Sequence, residues 1–179
     1  MIGFSRRTAA ALACLALAAC GENGTGLSEM DRTVAEVRAA TARYANVDHA
    51  LADGYTTDGH CVAHPAQGGM GIHYVKMSLL GDAVSDPAQP EVLVYAPQPD
   101  GSLTFAAVEY MIFRQPWEAA GNTGAPRFVG QPFDESFGEA AHGLPDHYEL
   151  HVWTEVANAS GRFNPWNPAV KCPGQNPGH

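Results

Sequence analysis

Positive charge is scarce in this chain, with ten Lys and Arg against 19 Asp and Glu. So few basic side chains leave no footprint for a nucleic-acid backbone, and an acidic body is repelled by an anionic membrane surface. Long apolar runs are also missing. The stretch from Thr8 to Ala19 is shorter than the roughly 20 residues a membrane-crossing helix requires. Cysteine is sparse, at four in 179 residues, and neither Cys61 nor Cys172 has a second cysteine nearby in sequence, so neither reads as part of a thiolate metal motif. There is no internal repeat, no glycine-rich phosphate loop and no G-x-S-x-G elbow. No nucleophile–base pair is visible either, so no reaction is named by motif.

What is present begins with an address. Arg6 and Arg7 precede the apolar run, which ends in small residues at "LAAC", Leu17 to Cys20. A charged start, a short apolar centre and a small-residue end are the marks of an export signal. The last four residues resemble the lipobox of bacterial lipoproteins. That resemblance implies cleavage after Ala19 and acylation of Cys20, which becomes the first mature residue. Several acyl chains exceed what stable anchoring requires, since each buried CH₂ contributes ~0.8 kcal/mol. The expectation is an exported body, lipid-anchored to the bacterial membrane and facing the periplasm or the outer surface. Residues 1–19 are then a cleaved signal, 20–27 a lipidated polar tether, and 28–179 a single globular domain. Removing Arg6 and Arg7 and no acid leaves eight basic residues against 19 acidic, a formal net charge of −11. Cys14 leaves with the signal and Cys20 carries lipid. In an oxidising compartment the remaining pair, Cys61 and Cys172, is expected to form a disulfide.

Along the body the apolar period changes once. Ser28 followed by Asp31 reads as an N-cap with an acidic third position, and Met30, Val34, Val37, Thr41, Tyr44, Val47 and Leu51 recur at three or four residues. This predicts an amphipathic helix, broken near Asn46 and ending around Gly54. Beyond it the period is two, with strands predicted at Gly71 to Met77, Glu91 to Tyr95, Leu103 to Phe113 and His147 to Val156. "APQPDGS", Ala96 to Ser102, predicts a turn joining the second and third strands. From Arg114 to Pro145, Pro and Gly predict mostly irregular loop with one short edge strand near Phe128. The proline-rich end is expected to wrap over the sheet, plant Trp166 against it and be pinned by Cys172. The fold class is therefore α+β, an N-terminal helix packed on an antiparallel sheet, with a pocket on the opposite face.

Chemistry should show where polar residues fall on apolar faces. Glu109 shares a face with Leu103, Phe105, Ala107, Met111 and Phe113, and a buried carboxylate must be paired, metal-bound or protonated. His73 shares its face with Val75 and Met77. In "HYELHVW", His147 and His151 alternate with Tyr148 and Leu150. On a strand these two histidines lie ~13 Å apart and cannot share an ion, whereas Glu149 and His151 can. The spacing points to His73, Glu109 and His151 on three strands as ligands of a divalent transition metal, zinc or iron, with Glu149 or His64 as a further group. The bland reading is a structural network in which Glu109 hydrogen-bonds one of the histidines.

"GYTTDGHCVAHPAQGGMGIHYV", "PEVLVYAP", "VEYMIF", "GQPFD", "HYELHVW" and "FNPWNPAVKC" together resemble a family of exported bacterial proteins that share these strings. The resemblance implies a common pocket involving His73, Tyr74, Glu109, Tyr148, His151, Trp153 and Trp166, and supplies no chemistry. Three classes follow. The first is a membrane-anchored binding protein for a metal or small polar ligand. The second is a metal-dependent hydrolase or oxidoreductase with Glu149 or Glu109 as general base. The third is an envelope interaction module with structural histidines and a protein partner.

Overall fold

A computed structural model describes residues 28–138 and 143–174. The expected signal, the tether and the lipidated Cys20 lie outside these residues. Helix α1, Glu29–Thr41, starts where the cap motif places it, with the Ser28 hydroxyl accepting from Asp31 N at 3.1 Å. A 3₁₀ turn, Ala42–Ala45, follows, and the chain restarts at Asn46, whose side chain accepts from Asp48 N to open α2, Val47–Ala52. The break near Asn46 therefore has a local cause: an Asx side chain competes for the backbone N–H groups that a continuous helix would use.

The strands are β1, Cys61–His64; β2, Gly68–Val75; β3, Val92–Pro97; β4, Leu103–Phe113; β5, Arg127–Phe128; β6, Gln131–Pro132; β7, Asp134–Ser136; and β8, His147–Trp153. Six of them form one antiparallel sheet in the order β1-β2-β3-β4-β8-β7. The β3–β4 hairpin closes through Gln98 to Ser102, as the turn residues predict. β2 begins three residues earlier than its side-chain pattern suggests, because Gly68 and Gly69 pair with β1 and glycine carries no period to read. β7 went unread for a related reason. Its three residues owe their conformation to pairing with β8 further along the chain.

The segment after β4 is more regular than its Pro and Gly content predicts. It begins with helix α3, Arg114–Ala119. The strand expected near Phe128 is half of a separate two-stranded sheet, β5–β6, and not an edge of the main one. Pro116 falls within the first turn of α3, where its missing N–H costs nothing.

Alternation sorts the sheet into two faces. Tyr74, Leu93, Tyr95, Tyr110, Tyr148 and Leu150 share one buried cluster with Val34 and Val37 of α1. The other face carries Val92, Val94, Ala107, Met111 and Trp153, in a cluster with Leu80 and Val170. The C-terminal segment lies along β2. Asn167 bridges Gly69, Trp153 Nε1 donates to Asn164 O at 2.7 Å, and Cys172 is bonded to Cys61 with a Cα–Cα distance of 5.5 Å. A Cβ on Gly68 would stand 2.2 Å from Asn167 O, so glycine is what allows this approach. Among the described residues no helix is long and apolar enough to cross a membrane.

Candidate metal centre

The second face holds the polar residues that the alternation singled out. Glu109 on β4 lies directly opposite His151 on β8. His73 on β2 lies opposite Val94, so β3 separates it from Glu109, and Val92 and Val94 form a low floor over which the longer side chains lean together. His73 Nε2 stands 3.4 Å from Glu109 Oε2 and 3.4 Å from His151 Nε2, and His151 Nε2 stands 3.7 Å from Glu109 Oε2. A point equidistant from the corners of that triangle is about 2.0 Å from each, the bond length of zinc to imidazole nitrogen and carboxylate oxygen. Among the described residues these three form the group of His, Cys, Asp or Glu side chains close enough to hold one ion.

Burial sets the charge states. The side chains of Glu109 and His151 are 3% and 2% exposed, and that of His73 is 20% exposed, so the group meets solvent from the β2 side. Burial, followed by the nearby His73 charge, pushes His151 down to about 3, so its ring is neutral and keeps a lone pair for a metal. Burial, followed by the charge of Glu149, pushes the Glu109 carboxyl well above its ordinary range. Without a cation, an acid there gives up its proton with difficulty.

Glu149 adjoins the triangle without completing it. It stands on the same sheet face, diagonal to Glu109 in the β4–β8 register, and its Oε2 lies 3.2 Å from His147 Nε2. Burial alone would raise Glu149, but the hydrogen bond from His147 outweighs it and holds the carboxyl below its usual value. His147 Nδ1 donates to Pro145 O at 2.8 Å, which leaves Nε2 to meet Glu149. Burial lowers His147, yet the hydrogen bonds to Glu149 and Pro145 prevail and raise it. Asp134 on β7 lies opposite Glu149 and is raised by burial and by the Glu149 charge.

The other candidate residues are dispersed. His64 pairs with Gly68, five residues from His73 and so about 16 Å along the strand. Its ring packs against Trp166 with centroids 5.4 Å apart, and its Nδ1 accepts from Ala66 N. Tyr74 and Tyr148 do not line the site, because the alternation that turns His73 and His151 to one face turns them to the other, against Tyr95 and Phe137. Trp153 shares the site's face and stacks beside His151 at 6.5 Å between centroids. His147 and Asp134 were not read from sequence as partners of Glu149. The i, i+2 spacing of His147 and Glu149 was a usable signal, whereas nothing in sequence placed Asp134 beside them. No family model, curated protein or solved structure matches this chain.

Proposed function

We propose that this protein binds one divalent transition-metal ion, zinc or iron, on His73, Glu109 and His151. The observation that carries the proposal is the triangle of Nε2, Nε2 and Oε2 atoms with edges of 3.4, 3.4 and 3.7 Å, in which the Glu109 and His151 side chains are buried. A carboxyl that is 3% exposed beside two imidazoles is costly unless a cation or a proton offsets it. Three protein ligands leave a coordination position for water or a small polar ligand. The protein would work as a lipid-anchored binding protein of the bacterial envelope, tethered through Cys20. The Cys61–Cys172 disulfide supports an oxidising compartment.

A second reading, a metal-dependent hydrolase or oxidoreductase, draws support from one feature. Glu149 is a carboxylate on the same sheet face as the triangle and outside its ligand set, which would suit a general base toward a water on the metal.

The test is elemental analysis of the full chain, purified in mild detergent from an oxidising compartment, beside the His73→Ala, His151→Ala double variant. About one equivalent of zinc or iron in the parent and none in a folded double variant is the expected result. A parent that takes up neither metal even after incubation with both would sink the proposal and favour an envelope interaction module with structural histidines.

A further inference from the structure

The triangle of ligand atoms is wide. Ligands held ~2.0–2.1 Å from an ion stand about 3.3–3.4 Å from one another at tetrahedral angles, and only about 2.9 Å at the right angles of a six-coordinate site. The edges here are 3.4, 3.4 and 3.7 Å, so an ion on these three atoms lies close to their plane, in the open angles of four-coordination. Closing those angles would require Glu109 and His151 to move toward each other, and both are buried on paired strands.

Access to the ion is one-sided as well. The valine floor of the triangle, Val92 and Val94, offers no donor atom, and Trp153, stacked beside His151, has its Nε1 committed to Asn164 O. Of the three ligand side chains, His73 at 20% is the one that meets solvent. Charge points the same way. Two imidazoles that bind through their lone pairs are neutral, so a divalent ion on the single Glu109 carboxylate keeps one positive charge unbalanced where solvent screens poorly. Glu149, on the same face, does not offset it. Its Oε2 stands 3.2 Å from His147 Nε2, a contact that needs a proton between the two atoms and so leaves the pair neutral. Asp134, one strand further, is exposed on the outer strand, where solvent screens its charge.

Resting on the metal-binding reading above, we propose that the ion is four-coordinate, zinc in preference to a six-coordinate iron, and that its fourth position takes one small anion entering beside His73. The anion completes the tetrahedron and balances the remaining charge. The ligand class is a monovalent anion of a few atoms, bound through a single donor atom.

The experiment uses the full chain in mild detergent, loaded with Zn²⁺ or with Co²⁺. X-ray absorption at the zinc edge should count four N or O neighbours at about 2.0 Å. Five or six neighbours overturn the proposal. The Co²⁺ protein should show the intense visible band of a tetrahedral ion, shifted by azide along a one-site saturation curve. Imidazole, which is neutral and larger, should shift the band only at higher concentration. A weak six-coordinate band, no response to azide, or a response to imidazole at equal or lower concentration also overturns it. A chain that takes up neither ion instead overturns the metal-binding reading on which the proposal stands.

Discussion

Glu91 is the other carboxyl buried by the sheet, 2% exposed, and its place follows from one proline. Pairing of β3 with β4 ends at Val92 opposite Glu109, and the carbonyl of Pro90 is taken by the Tyr55 hydroxyl at 2.7 Å. The Met111 N–H is then left for Glu91, whose Oε2 accepts it at 3.1 Å. Burial pushes the Glu91 carboxyl up to about 8 from an ordinary 4.5. The folded chain holds this proton more tightly than the unfolded one. Its stabilising contribution is therefore full below about pH 4.5 and is lost as the pH rises toward about 8. Glu91→Gln should flatten that stretch of a stability-versus-pH profile measured by urea unfolding, where a single group contributes at most about 1.4 kcal/mol per pH unit. An unchanged profile would mean that Glu91 is ionised in the folded protein. Glu109 was legible from its parity on a long strand. Glu91 was not, since its burial depends on β4 and Tyr55, which only the fold brings beside it.

At the scale of elements, two junctions make predictions. The Asn46 side chain opens α2, and its loss in Asn46→Ala should cost about 1 kcal/mol in chemical unfolding, the usual value of an N-cap. Gly68 is more demanding, with φ +98° and a would-be Cβ 2.2 Å from the Asn167 carbonyl oxygen. Gly68→Ala should cost at least about 2 kcal/mol by strain and overpacking, and should loosen the C-terminal segment from β2. A urea midpoint equal to that of the parent would show that the segment shifts at no cost. The helix break at Asn46 and the β3–β4 turn were readable because caps and turns are local chemistry. A short strand at Phe128 was readable, but its pairing with β6 was not, nor were β7 and the early start of β2, because these segments have too few side chains, or none, to show a period.

For the whole molecule, the Cys61–Cys172 bond closes a sequence separation of 111 residues. On the chain-entropy account such a crosslink stabilises the fold by ~4–5 kcal/mol, so reduction should lower the urea midpoint markedly and a Cys61→Ala, Cys172→Ala pair should reproduce that loss. No difference between oxidised and reduced chains would assign the hold on the C-terminal segment to Asn167, Asn164 and Val170 alone. The pairing of these cysteines was a matter of counting once Cys14 and Cys20 were assigned to an expected export signal, and the α+β class was a matter of period, 3.6 before Gly54 and two beyond it. Both are written locally along the sequence, as is the inward parity of His73, Glu109 and His151. Parity says which face a side chain takes and nothing about how far it lies from another. That His73 Nε2 and His151 Nε2, 78 residues apart, meet at 3.4 Å was decided by strand order and register across β2, β3, β4 and β8. The same register carries Tyr74 and Tyr148 to the other face and brings His147 and Asp134 to Glu149. Strand order and register are set by packing the whole sheet at once, which is why only the tertiary structure could decide them.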